Sequence, residues 1–141
     1  MSVANIARQI RGGLIAEIKK VAGIGHVSSD WVHWTNVTRF PACFVMRETS
    51  TQEVSQTRSK TVEDRFRLVW VLQSETPEDD FDDLADAAEN EIEDDPSLGN
   101  LIEQCWVSAI GSFATSAAIS GGVYVREMFV DAVYKHVRAA A

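Results

Sequence analysis

The sequence predicts an α+β fold: an antiparallel or mixed β-sheet packed by two α-helices, in the order helix, strands, helix, strands, with a long polar β-hairpin arm. Three observations lead to it. Apolar residues recur at three- and four-residue steps in two separate stretches, one at the N-terminal end and one past the middle. Between and after them lie segments that alternate apolar with polar residues, the period of a half-buried strand. A chain of 141 residues is also long enough to build one core and too short to build two good ones, so a single domain over 1–141 is expected. With 45% hydrophobic and 24% charged residues, the composition is that of a folded globular protein, which sets disordered and fibrous classes aside.

The first helix is predicted over Val3 to Ala22, where Val3, Ile6, Ala7, Ile10, Leu14, Ile18 and Val21 fall on one stripe. Ser2 is its N-cap, Gly23 and Gly25 end it, and Gly12 and Gly13 in its middle point to a kink or a close packing contact. Asp30 to Trp34 reads as a short extended segment before the turn at Phe40-Pro41. Ala42 to Met46 begins a strand, and Phe66, Leu68, Trp70 and Leu72 form the apolar face of another, opposite Arg65, Arg67, Val69 and Val71. The two are expected to pair antiparallel. Between them Glu48 to Asp64 holds only Val54 and Val62 as aliphatic residues, and this is the hairpin arm. Pro77 opens the second helix, whose narrow apolar stripe is Phe81, Leu84, Ala85, Ala88 and Ile92, and Pro96 stops it. Gln104 to Ile110 and Val123 to Val137 are two closing strands, joined by a small-residue stretch ending in Gly121-Gly122.

Charge is segregated along this order. The formal net charge is −8, yet 12 of the 21 acids lie between Glu75 and Asp95 with no Lys or Arg among them. The rest of the chain holds 9 acids against 13 basic residues and is therefore at +4. Within the acidic segment Asp79, Asp80, Asp82, Asp83, Asp86 and Glu89 form a candidate acidic surface on the second helix. The apolar residues that interrupt them at helical spacing are incompatible with a calcium loop. No basic run or nucleic-acid reader motif occurs, so sequence-specific nucleic-acid binding is not expected. Arg47, Arg58, Lys60, Arg65, Arg67 and Arg126 lie on predicted strands or the arm and are candidate subunit-interface residues, able to meet acids of a neighbouring copy.

Catalytic, metal and cofactor chemistry find no foothold in the motifs. His26, His33 and His136 do not stand at metal-site spacing, Gly-x-Ser-x-Gly is absent, and neither Gly23-Ile24-Gly25 nor Gly121-Gly122 continues into a phosphate loop. Cys43 and Cys105 sit among apolar residues and read as buried reduced thiols. Trp31, Trp34, Trp70 and Trp106 read as core packing before they read as a ligand cage. The stretch from Ile110 to Val125 is too rich in small and polar residues for a membrane span, and the first residues lack the pattern of a secretory signal. A non-enzymatic protein without cofactors is expected.

The order of elements, together with Phe40-Pro41-Ala42-Cys43-Phe44-Val45, Phe66-Arg67-Leu68-Val69-Trp70-Val71 and Asp94-Asp95-Pro96-Ser97-Leu98-Gly99-Asn100-Leu101-Ile102, resembles the tail-terminator or tail-completion proteins of tailed bacteriophages. The resemblance spans nearly the whole chain. Its strongest local piece is the Asp-Pro-Ser-Leu-Gly turn, where related sequences often read Asp-Pro-Thr-Leu-Gly-Gly and Asn100 stands for the second Gly. It implies a small α+β sandwich and a homohexameric ring that caps the tail tube and offers a joining surface to the head and neck. The partners implied are further copies of itself, the tail tube protein and a neck or connector protein. The place implied is the tail-neck junction of the virion, after synthesis in the host cytoplasm, and no catalytic residues are carried over. An acidic surface beside the DNA channel would repel phosphate. The alternatives are a head-to-tail connector (neck) protein and, from another class, an intracellular α+β small-molecule-binding domain with a tryptophan-lined pocket.

Overall fold

The chain begins with α1, Val3–Ile18, whose N-cap is Ser2: its Oγ accepts a hydrogen bond from the Asn5 amide at 3.1 Å. The computed structural model describes residues 2–30, 36–56, 58–112 and 122–137. Ala7, Ile10, Leu14 and Ile18 are the buried stripe of the helix. The helix ends four residues before the Ala22 expected from periodicity. The amides of Lys20 and Val21 bond three residues back instead of four, and Gly23, at φ +80°, turns the chain away.

Gly25 then lets the next segment lie against the Phe40–Pro41 turn, whose peptide is cis. A Cβ at Gly25 would stand 2.9 Å from both the backbone N and O of Phe40, so only glycine fits there. This approach brings in β1, His26–Ser28, which pairs parallel with the start of β2, Ala42–Gln56. Three residues carry no readable period, and β1 was not foreseen; the extended segment expected at Asp30 to Trp34 falls mostly on residues 31–35, outside the described ones.

β2 pairs antiparallel with β3, Ser59–Gln73, from Ala42↔Val71 to Gln56↔Ser59, with irregularities beside Glu48 and between Val54 and Gln56. After β3 comes α2, Pro77–Asp94, then β4, Gln104–Ser112, and β5, Val123–Val137. β5 pairs antiparallel with β3 at every residue of both, and with β4 on its other side. The sheet is therefore mixed, in the order β1-β2-β3-β5-β4. The fold class is the α+β expected, helix, strands, helix, strands. One feature differs from a two-stranded arm: β5 runs beside β3 as far as Val137↔Ser59, so the far end of the sheet is a ribbon of three strands.

Both helices lie on one face. Against it Val62, Phe66, Leu68, Trp70 and Leu72 of β3 pack with Met128, Val130, Ala132 and Tyr134 of β5 and with the apolar stripes of α1 and α2. Each fully buried Leu, Ile or Phe here contributes about 1.5–3 kcal/mol. The other face holds a smaller cluster, Ala42, Phe44, Val69, Val71, Val123 and Val125, covered by Val37 and Phe40 of the loop before β2. The link from α2 to β4 is a turn with three successive left-handed residues, Leu98 (φ 49°), Gly99 (φ 68°) and Asn100 (φ 66°). Asp95 Oδ2 accepts from the Gly99 amide and Ser97 Oγ from the Asn100 amide. Asn is among the few non-glycine residues that tolerate this region, which accounts for position 100. Leu98 is held there by packing: its side chain lies over Gly13 of α1, where a Cβ would come within 3.3 Å of it. That contact accounts for a glycine in mid-helix at position 13.

Candidate functional site

The charged residues fall into three groups. The first is buried on the helix face. Asp64, fully buried on β3, accepts from Arg47 Nη2 at 3.2 Å and from the Tyr134 hydroxyl at 2.9 Å. Burial, and then the bond to Asp64, pushes the Tyr134 phenol pKa up. Arg126 is 1% exposed; Nη1 donates to the Val125 carbonyl at 3.1 Å and Nη2 to Glu78 in the first turn of α2, with the guanidinium over the Tyr124 ring. Its Nε and the Nε1 of Trp70, its cross-strand neighbour, are buried without a hydrogen-bond partner among the described residues. Arg126 is therefore no surface residue. It ties β5 to α2, while Arg47, itself partly exposed, meets the buried Asp64 from the rim. The signal lay in the alternation, since Arg126 shares parity with Met128 and Val130, which face the helices.

The second group is a lattice on the open face. Arg65 grips Asp131 through two bonds, Nε to Oδ1 at 2.9 Å and Nη2 to Oδ2 at 3.3 Å, and lies over the Phe129 ring. The hydrogen bond to Asp131 is the main cause of a raised Arg65 pKa. Arg67 sits between Glu48, at 3.8 Å, and Glu127, at 3.7 Å. Half-buried Trp106 lies on this face by its register with Asp131, Trp70 is in the core, and Trp31 and Trp34 fall outside the described residues. The acids that engage the arginines (Glu48, Asp64, Glu78, Glu127 and Asp131) were not singled out in the sequence, because pairing across strands needs the register.

The third group is exposed and lies at the two ends of the sheet. At the ribbon end Arg58 is exposed in the β2–β3 turn, and Lys60 reaches Gln52. The other part is α2, which starts at the opposite end and lies over the helix face, with Phe81, Ala85, Ala88 and Ile92 turned inward and Asp79, Asp82, Asp83 and Asp86 exposed. Asp80 accepts from Ser74 and, at 3.5 Å, from Thr76, while Glu89 is half-buried. The last turn of α2 has no basic residue to offset its acids. Beside its first turns a cleft of about 270 Å³ opens, floored by Phe40, Pro41, Leu72 and Leu84 and rimmed by Asp80 and Asp83.

Backbone groups are also on offer. The outer side of β2 is paired only at Ala42, Cys43 and Phe44, so among the described residues no strand covers it from Val45 to the turn. β4 is likewise an outer strand. Among the described residues no group of three or more His, Cys, Asp and Glu side chains is placed to hold a metal ion, and no helix is long and apolar enough to cross a membrane. What these surfaces can do is recognise other chains, through open strand edges and through opposite charges at opposite ends. No model of a known protein family matches the chain, and no curated protein matches it.

Proposed function

We propose that the chain is a virion structural protein of tailed bacteriophages, a tail terminator that assembles as a homohexameric ring, caps the tail tube and forms the joining surface to the neck. The observation that carries the reading is the outer edge of β2 along the ribbon, which no strand covers among the described residues. A long free edge invites another strand, and identical copies arranged head to tail around an axis cover such edges without leaving one over. The resemblance in the Asp-Pro-Ser-Leu-Gly turn and in the order of elements supplies the biological setting. The exposed acids of α2 suit a surface past which DNA moves without sticking.

The test is size-exclusion chromatography with light scattering, followed by electron microscopy of the purified protein. A closed ring that binds tail tube protein at one face is the expected result. A ring that binds only the portal side would make it a neck protein. A monomer that takes up a small molecule in the cleft would replace the ring with a ligand-binding domain. Replacing Asp82 and Asp86 together with Lys is expected to impair DNA delivery while tails still form; unchanged delivery would remove the acids from the channel.

A further inference from the structure

Two surfaces at opposite ends of β3 match each other in composition. At the ribbon end, Val54 is 78% exposed, and Lys60 is its cross-strand partner, with His136 next in register. Arg58 caps this end in the turn and has no ion-pair partner among the described residues. Aliphatic surface and cationic groups thus share one tip; its acids Glu53 and Glu63 sit on the opposite face of the ribbon by the alternation. At the other end, the cleft beside α2 combines an apolar floor with the carboxylates of Asp80 and Asp83. Asp80 is already bonded to Ser74 and Thr76, whereas Asp83 has no partner among the described residues. The N-terminal end of α2 carries a partial positive charge, but the acids Glu78, Asp79 and Asp80 in its first turn outweigh it.

We propose that the hairpin tip of one copy docks in this cleft on the next copy, with Arg58 meeting Asp83 and the tip's aliphatic surface meeting the floor. The contact cannot form within one molecule: β3 runs from the tip at Ser59 to the cleft at Gln73, and fourteen steps of about 3.3 Å separate them by roughly 46 Å. Each copy therefore gives a tip and receives one at the same time. Such a contact joins two different patches, so it can close into a ring, run on as a filament, or be made twice in a reciprocal pair, and light scattering tells these apart. At about 270 Å³ the cleft is large enough to take the side chain of a turn residue. The proposal rests on the ring reading above and names the contact within it.

Charge reversal tests it. Arg58→Glu and Asp83→Arg each turn an attraction into a repulsion, and each is expected to raise the dissociation constant for self-association by about tenfold or more. Both positions are exposed, so the far-UV circular dichroism spectrum of each variant should match that of the wild type. The double variant R58E/D83R restores association. Mixing the two single variants also restores it, because the Glu tip of one meets the Arg cleft of the other and every contact around an alternating assembly is again complementary. Single variants that associate like the wild type, or that lose association without rescue on mixing, would overturn the tip-in-cleft contact and leave the ring reading standing. A wild-type chain that stays monomeric at the highest attainable concentration would overturn both.

Discussion

The two faces of the sheet use the same residue types to opposite ends. On the helix face, Asp64 and Arg126 are themselves enclosed, and each is reached by a partner from the rim, Arg47 and Glu78. On the open face, Arg67 meets Glu48 and Glu127 beside water, while the partly exposed Arg65 covers the buried Asp131. An enclosed ion pair must recover the cost of dehydrating both charges, and removing one partner strands the other. A pair at the surface gives little, because solvent screens it, and loses little when cut. Position along a strand, one residue up or down, thus decides whether an arginine is structural.

Substitutions sharpen this contrast in descending order. Trp70→Ala empties the largest space on the covered face and is expected to cost about 3–5 kcal/mol in chemical denaturation. Asp64→Asn keeps the shape and removes the charge facing Arg47. Because Arg47 is 31% exposed, the expected loss is about 2–3 kcal/mol, less than for a fully enclosed pair. Alkali probes the same face without mutation. Burial raises the Cys105 thiol from its ordinary 9.0 to about 12 and the Cys43 thiol well above 9.0. Both stay protonated in the folded chain while the unfolded chain ionises, so their contribution is full below pH 9 and falls as the pH climbs toward 12. Stability measured across that window should decline, and a thiol reagent at pH 8 should label neither cysteine until the protein unfolds. Last comes Arg67→Ala on the open face, expected to cost at most about 1 kcal/mol. A loss there as large as that of Asp64→Asn would erase the distinction between the faces.

Much of the fold was legible because its long elements obey their periods. The stripes of α1 and α2 and the alternation Phe66-Leu68-Trp70-Leu72 needed only spacing to be read. β1 was not legible, since three residues cannot show a period and its pairing depends on the space left by Gly25 against Phe40. The exposure of the candidate interface residues was legible in part. Arg58 is on the surface as expected, but Arg126 was assigned outward although its parity matched Met128, an error of ignoring face when the residue is charged. The cleft was invisible because it is assembled from the end of β3, the Phe40–Pro41 turn and the start of α2, which are distant in sequence.

One consequence follows from β3 being hydrogen-bonded to β5 along its whole length and to β2 along nearly all of it. A pull applied at the turn along the strand axis loads both ladders in shear, so their rungs resist together, whereas a pull across the sheet would open them one by one. The hairpin is thus a stiff strut along one direction only, and a load borne end to end would pass through the molecule by its strongest path.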